Sequence, residues 1–273
     1  MQVYSNANEQ RNNKYLASWF TRTGEKTLIE TINIGSVNSK YLSSIIYSYE
    51  GEKKHCLLEN QYLNNAADKF NKIFVESYSE NDQKNGITII DKDSGKIEKR
   101  VNFKNAFTSF GRQLIDHNNN LVTYGNNDLN NFPQKEAQSA IGVLNCKTYE
   151  TTEYLFENEK IIFSYIHNNN IYVITDSNRM YIFNDKLKPL AKKDIAYKTF
   201  FEYFTNNDYT IRKILNNNKV ISVLYTSKKF DPENLGFIVE YNSEDISVLN
   251  KFDITLKAEK KWLGEVVDFI KLD

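Results

Sequence analysis

Short runs of apolar, β-branched and aromatic residues recur along the chain, each bounded by polar turn residues. The most apolar are Lys160-Ile-Ile-Phe-Ser-Tyr-Ile166, Val220-Ile-Ser-Val-Leu-Tyr225 and Gly236-Phe-Ile-Val-Glu-Tyr241. Such lengths and compositions predict strands. No apolar run reaches the roughly eighteen residues that a membrane-crossing helix needs, and no apolar stripe persists at helical spacing.

The runs repeat in order. An Asn-rich turn precedes a β-rich run in His117-Asn-Asn-Asn-Leu-Val-Thr-Tyr124, His167-Asn-Asn-Asn-Ile-Tyr-Val-Ile174 and Leu215-Asn-Asn-Asn-Lys-Val-Ile-Ser-Val-Leu224. Weaker copies are Phe70-Asn-Lys-Ile-Phe-Val-Glu76 and Asn12-Asn-Lys-Tyr-Leu-Ala-Ser-Trp-Phe20, so the strands after the turns begin at Tyr15, Ile73, Leu121, Ile171 and Val220, with spacings of 58, 48, 50 and 49. Asn suits such turns because it tolerates positive φ and bonds its own backbone. A hairpin sits between successive Asn turns: Gly86-Ile-Thr-Ile-Ile-Asp91 runs through Asp93-Ser-Gly95 into Lys96-Ile-Glu-Lys-Arg-Val101. Similar pairs follow at Ile141–Asn145 with Thr151–Phe156, Met180–Asn184 with Leu190–Ile195, and Phe237–Glu240 with Ile246–Phe252.

Each period of about fifty residues therefore holds one strand before the Asn turn, one after it, and a hairpin. Four antiparallel strands per repeat is the blade of a β-propeller. Five starts predict an all-β propeller of five four-stranded blades. Six is the competing count, because the first gap is long and Tyr41–Asn60 is itself β-rich. Residues 1–13 read as a flexible leader and 14–273 as one propeller domain, with Trp262–Leu272 expected to complete the first blade and close the ring.

The strand ending in Asp91, the turn through Gly95 and the returning strand resemble repeats of the quinoprotein-like and YVTN-type propellers, and the likeness recurs through most of residues 70–255. The later hairpins replace the Gly with Lys147-Thr-Tyr149, Lys186-Leu-Lys188 and Asn242-Ser-Glu244, and there is no Gly-His…Trp-Asp signature of WD40 repeats. The resemblance implies a fold and no activity, since propellers host many unrelated functions.

Charge narrows the partners. Lys and Arg total 35, as do Asp and Glu, so the net charge is zero. A general nucleic-acid binder needs a cationic excess to displace counterions from phosphates, and an anionic membrane surface demands the same. Neither nucleic acid nor a membrane-spanning segment is expected. Cys56 and Cys146 are the only cysteines and are expected as free thiols. The polar N-terminus resembles the mature end of a secreted protein or a bacterial lipoprotein with a lipid anchor, which points to an extracellular or cell-envelope location, with the cytoplasm as the alternative.

No catalytic residue, metal site or cofactor is assigned. Propellers gather ligands where the loops between blades meet the loops between second and third strands. The loops expected there are Glu76–Asn85, Gly125–Ala137 and Thr226–Leu235. They nominate Asp128, Phe132, Lys135, Phe230 and Asp231 for partner contact, beside Phe200 (with Tyr203 and Phe204) as an aromatic platform, and Arg112 and Arg179 as grips for an anion. Against these stands the ordinary fate of such residues, solvated loop or packing between blades. His117 and His167 hold equivalent places in neighbouring repeats, but flank surface turns rather than a metal-ligand cluster. The leading expectation is a non-catalytic binding or scaffold propeller that engages a protein or an extracellular ligand such as a glycan. The rival is a glycoside hydrolase with Glu76, Asp116, Asp128 and Asp176 as candidate acids. A quinone-type cofactor propeller is a third reading without a marker.

Overall fold

The computed structural model describes residues 17–23, 27–37, 40–49, 51–104, 109–110, 114–126, 137–195, 208–217, 219–229 and 235–254. Its strands form five antiparallel sheets among these residues, each from strands consecutive in sequence. Sheet A contains β1 (Ala17–Thr23), β2 (Thr27–Val37), β3 (Lys40–Tyr49) and β4 (Glu52–Glu59). Sheet B contains β5 (Gln61–Lys69), β6 (Lys72–Ser79), β7 (Lys84–Asp91) and β8 (Ile97–Asn102). Sheet C has β10 (Ile115–His117), β11 (Asn120–Asn126), β12 (Ala137–Asn145) and β13 (Thr151–Glu157), with the two-residue β9 (Ser109–Phe110) also paired to β11. Sheet D contains β14 (Ile161–His167), β15 (Asn170–Thr175), β16 (Arg179–Phe183) and β17 (Pro189–Asp194). Sheet E contains β18 (Tyr209–Asn216), β19 (Val220–Ser227), β20 (Gly236–Asn242) and β21 (Val248–Ile254). The chain divides into two compact units, Met1–Phe103 with sheets A and B, and Lys104–Asp273 with sheets C, D and E.

Two sequence expectations change. The second strand of sheet A is β2, from Thr27, and not a strand from Tyr15, so second strands start at residues 27, 72, 120, 170 and 220 and the long first gap disappears. No Asn turn precedes Thr27, which is why the repeat signal slid to Asn12-Asn13. The segment Tyr41–Asn60 supplies β3 and β4, the third and fourth strands of sheet A. Sheet A thus has four strands among the described residues. The segments 1–13 and 262–272 lie outside the described residues.

The second and third strands are buried on both faces, as in Ile73, Phe74 and Val75 of β6 and Ile87, Ile89 and Ile90 of β7. This is why their sequences read as continuous apolar runs rather than alternating ones. The fourth strands are the opposite: β17 is exposed throughout. Pro189, Lys192 and Lys193 on this edge discourage pairing with another chain. In the larger unit one core runs through sheets C, D and E. Flat rings fill the space between sheets C and D, with Tyr154 4.7 Å from Phe183 and Phe156 edge-on to Tyr181 at 5.0 Å.

The turns explain the sequence motifs. Phe70 and Asn71, and Asn168 and Asn169, take positive φ between paired strands, the geometry a two-residue hairpin requires. In sheets B, C, D and E the third strand ends in, or is followed directly by, an Asp or Asn whose side chain accepts an amide of the following turn: Asp91 from Ser94 at 2.8 Å, Asn145 from Lys147 at 2.9 Å, Asn184 from Lys186 at 3.0 Å and Asn242 from Glu244 at 2.8 Å. The turn then closes on a left-handed residue, which is Gly95 in sheet B but Tyr149, Leu187 and Ile246 in the later sheets. Leu187 and Ile246 tolerate that conformation because their side chains are buried in the core.

The residue after this Asp or Asn ties the turn down twice. Its amide reaches the Asn turn of its own sheet: Lys92 to Asn71 at 3.3 Å, Cys146 to Asn119 at 2.8 Å and Ser243 to Lys219 at 3.1 Å. Its carbonyl accepts from the preceding sheet within the same unit. The Tyr47 hydroxyl donates to Lys92 at 2.9 Å, the Asn120 amide to Asp185 at 3.2 Å and the Tyr165 hydroxyl to Ser243 at 2.8 Å. The Lys54 ammonium also approaches the Lys92 carbonyl, at 3.4 Å.

Replacing Tyr165 by Phe leaves the packing in place but strips the buried Ser243 carbonyl of this donor. An unsatisfied buried acceptor costs about 1–3 kcal/mol. Tyr165→Phe should therefore lower the unfolding free energy from chemical denaturation by that amount without changing the β signature in circular dichroism.

Candidate tyrosine–glutamate site

At one end of sheets A and B, the connection from β4 to β5 meets the short turn between β6 and β7. The turn is only residues 80–83, because β6 continues to Ser79 and β7 starts at Lys84. The long loop expected from Glu76 to Asn85 is thus mostly strand, its alternation hidden by the polar Ser77 and Ser79. Asn60 organises the meeting point with φ of 54°. Its amide donates to the Tyr41 carbonyl at 2.6 Å, its carbonyl accepts the Glu80 amide at 2.9 Å, and its side-chain amide donates to Asn81 at 3.1 Å.

This frame sets three tyrosines in a row. Tyr62 lies opposite Tyr78 across β5 and β6, with ring centroids 6.4 Å apart. On its other side Tyr62 meets Tyr41 of β3 at 3.8 Å. Tyr41 is buried, while Tyr62 is 37% exposed. The Tyr62 hydroxyl donates to Glu80 Oε1 at 2.5 Å. That bond, then burial, pushes the Tyr62 phenol up to about 12. Burial first, and the Glu80 charge second, raise Tyr41 and Tyr78 as well. The row is therefore neutral at physiological pH beside one exposed carboxylate.

Two polar hubs lie at equivalent places in sheets B and D. Gln61 and Glu159 each stand two residues before the first-strand residue that pairs with the second strand, Leu63 with Ser77 and Ile161 with Thr175. Gln61 Oε1 accepts from Ser77 at 2.8 Å, Thr88 at 2.7 Å and Arg100 at 3.0 Å, a network that crosses all four strands. Burial pulls the Arg100 guanidinium down to about 10. Glu159 is buried and accepts from Thr175 at 2.6 Å, Arg179 at 2.6 Å and Tyr181 at 2.7 Å. Burial works to raise the Glu159 carboxyl, but these hydrogen bonds outweigh it and hold it below the usual carboxylate range. Because the same position carries an amide in one sheet and a carboxylate in the other, the hub is a structural device of the repeat.

Arg179, the one nominated contact residue that is described, thus gives a guanidinium N–H to Glu159. Arg112, Asp128, Phe132, Lys135, Phe200, Phe230 and Asp231 lie outside the described residues, with Tyr203 and Phe204. Of the acids proposed for glycoside hydrolysis, Asp128 lies outside the described residues, and the two described in the larger unit do not converge. Glu76 is fully buried and takes the side-chain amides of Asn64 at 2.8 Å and Asn65 at 2.7 Å. In the larger unit Asp116 sits by the Asn turn, whereas Asp176 lies at the opposite strand end and accepts the Lys160 amide at 2.9 Å. His167 Nδ1 is 3.0 Å from the Ser243 hydroxyl, a spacing that suits a nucleophile and its base, yet Ser243 is fully buried and offers no substrate access. Cys56 and Cys146 are free and buried. No cluster of metal-ligating side chains occurs among the described residues, and no described helix is long and apolar enough to cross a membrane.

No protein-family model matches the chain, and no curated protein matches it in sequence. Solved structures do match in fold. The β-propeller domain of the Trilobed protease from Pyrococcus furiosus, described as having an open velcro topology, aligns with a TM-score of 0.50 at 13% identity over 86% of this chain and 71% of that one. A structure from a study of two prolyl endopeptidases aligns with a TM-score of 0.51 at 10% identity, over 87% of this chain and 34% of that one. Dihydro-heme d1 dehydrogenase NirN in complex with DHE aligns at 0.45 and 11% identity, over 83% of this chain and 45% of its own. The chain thus spans about a third to a half of the last two structures. The first two likenesses place the sheets among β-propeller repeats and carry no activity.

The Tyr62–Glu80 bond sets a pH signature. The folded-state phenol titrates above the unfolded value, so its stabilising contribution is complete below about pH 10 and is lost as pH rises towards 12. An ultraviolet titration of the folded chain should show a tyrosine ionising near pH 12. Glu80→Gln should move the Tyr62 part of that step down towards the ordinary tyrosine value and leave the part from Tyr47, which burial also pushes up to about 12.

Proposed function

We propose that this chain is a five-bladed β-propeller that binds a protein partner through its loop ends and carries out no chemistry of its own. Five consecutive four-stranded sheets and the likeness to the Pyrococcus furiosus propeller domain support the five-blade count. The observation that carries the binding reading is the exposed Tyr62–Glu80 pair on its tyrosine row. Tyrosine supplies large contact area at low entropic cost and is enriched where proteins bind. Asn60 fixes the row beforehand, so little ordering remains to be done on association.

The strand ends offer a contrast. At the Asn-turn end the turn backbone is engaged in bonds within and between sheets. The loop end of sheets A and B presents aromatic and carboxylate groups instead.

The test is capture of partners from the cell envelope by the full chain. Tyr62→Ala should reduce capture of a specific partner at least tenfold, whereas Asn118→Gly, at an exposed Asn turn of positive φ, should leave it unchanged. Turnover of glycoside substrates that Glu76→Gln abolishes would overturn the reading in favour of a hydrolase.

A further inference from the structure

The chain itself shows what a carboxylate and a tyrosine hydroxyl of this kind can hold. In sheet D, Glu159 Oε1 accepts the Tyr181 hydroxyl at 2.7 Å and an Arg179 guanidinium N–H at 2.6 Å. The three groups form one hydrogen-bonded set. In sheet B, Glu80 Oε1 accepts the Tyr62 hydroxyl at 2.5 Å, and no lysine or arginine among the described residues pairs with that carboxylate. The Glu–Tyr half of the set is present, and no guanidinium among the described residues completes it.

We propose that Tyr62 and Glu80 form a docking point for an arginine side chain presented by a protein partner. The inference deepens the binding reading above and rests on it. Three features select a guanidinium. Glu80 is exposed, with one carboxylate oxygen, Oε2, unused by the tyrosine. The adjacent ring has a negative π-face that attracts a cation. A planar guanidinium can stack on that ring and donate to the carboxylate at the same time, which a lysine ammonium does less well.

The same geometry excludes a cage for a quaternary ammonium. Such a cage needs open space between ring faces, and Tyr62 lies against Tyr41 at a centroid distance of 3.8 Å. A neutral sugar could stack on Tyr62 but would leave the Glu80 charge without a counterpart. An anionic ligand would be repelled by that charge. Tyr62 is also pinned before binding, by the Glu80 bond to its hydroxyl and by Tyr41 against its ring, so a guanidinium meets a formed surface.

The experiment compares three short peptides on the unaltered full chain by nuclear magnetic resonance titration: acetyl-Gly-Arg-Gly amide, its citrulline counterpart and its lysine counterpart. Citrulline keeps the shape of arginine and removes the charge. The arginine peptide should shift the Tyr62 ring resonances saturably at millimolar concentration. The citrulline peptide should bind at least tenfold more weakly and the lysine peptide should fall between them. Glu80→Gln should weaken the arginine peptide at least tenfold, and Tyr62→Phe should weaken it less than Tyr62→Ala, because the ring remains. Equal binding of arginine and citrulline peptides, or the absence of any saturable shift, would overturn the proposal. So would a neutral trisaccharide that shifts these resonances where the arginine peptide does not. If partner capture still depends on Tyr62 while the peptides show no arginine preference, the docking chemistry falls and the binding reading survives.

Discussion

The fold depends on one backbone position in each hairpin, the residue just after the Asp or Asn that ends a third strand. At Lys92 and Ser243 its amide and carbonyl are both used, the first on the Asn turn of its own sheet and the second on a tyrosine of the sheet before. Buried backbone groups must find partners. A sheet edge that packs against another sheet has few ways to do so, and this residue supplies two at once. The Asp or Asn beside it is required because its side chain holds the turn that aims the carbonyl outward. Tyr149, Leu187 and Ile246 then accept left-handed backbone that Gly would take more easily. Burial of Leu187 and Ile246 within the core opposes the roughly 1–2 kcal/mol this conformation costs an ordinary residue.

Polar groups on the sheet faces follow a second rule. Gln61 and Glu159 sit at the same place in sheets B and D and collect hydroxyls and a guanidinium from their own sheet. In sheet E the same place is Tyr209, which packs edge-on to Phe237 at 4.8 Å, and that ring in turn stacks on Tyr225. The repeat therefore tolerates a polar hub or an aromatic one, provided the position is filled. Glu80 stands outside this scheme. It lies in a turn, it is exposed, and among the described residues its one hydrogen-bonded side chain is Tyr62.

Much of the fold was legible because turns demand particular residues. The Asn turns at Asn118 and at Asn168-Asn169, and the strand-ending Asp91, Asn145, Asn184 and Asn242, stand out in the sequence for the same reason that they work in the structure. Where that chemistry lapses, as before Thr27, the reading slipped. The tyrosine row was not legible. Counting outward from the Phe70–Asn71 turn puts Tyr62 opposite Ser79, but a bulge at Asn64 and Asn65 shifts the register by one and brings it opposite Tyr78. A one-residue shift moves a side chain to the other face of a strand, and nothing in a single sequence announces it. The approach of Tyr41, from another sheet, is a tertiary contact that local pattern cannot supply. Most residues nominated for binding lie outside the described residues, whereas the described cluster sits on strand ends and a four-residue turn.

The direct test of this account is a double-mutant cycle in the full chain, combining Tyr47→Phe with Asp91→Ala and reading stability by chemical denaturation. Both substitutions act on the Lys92 turn, one through its hydrogen bond to the carbonyl and one through the side chain that shapes the turn. If the hairpin carbonyl is the element that joins sheet A to sheet B, the two losses overlap and differ from additivity by at least about 0.5 kcal/mol. Losses that add to within about 0.3 kcal/mol would show that the turn and the tyrosine act independently, and would contradict the account.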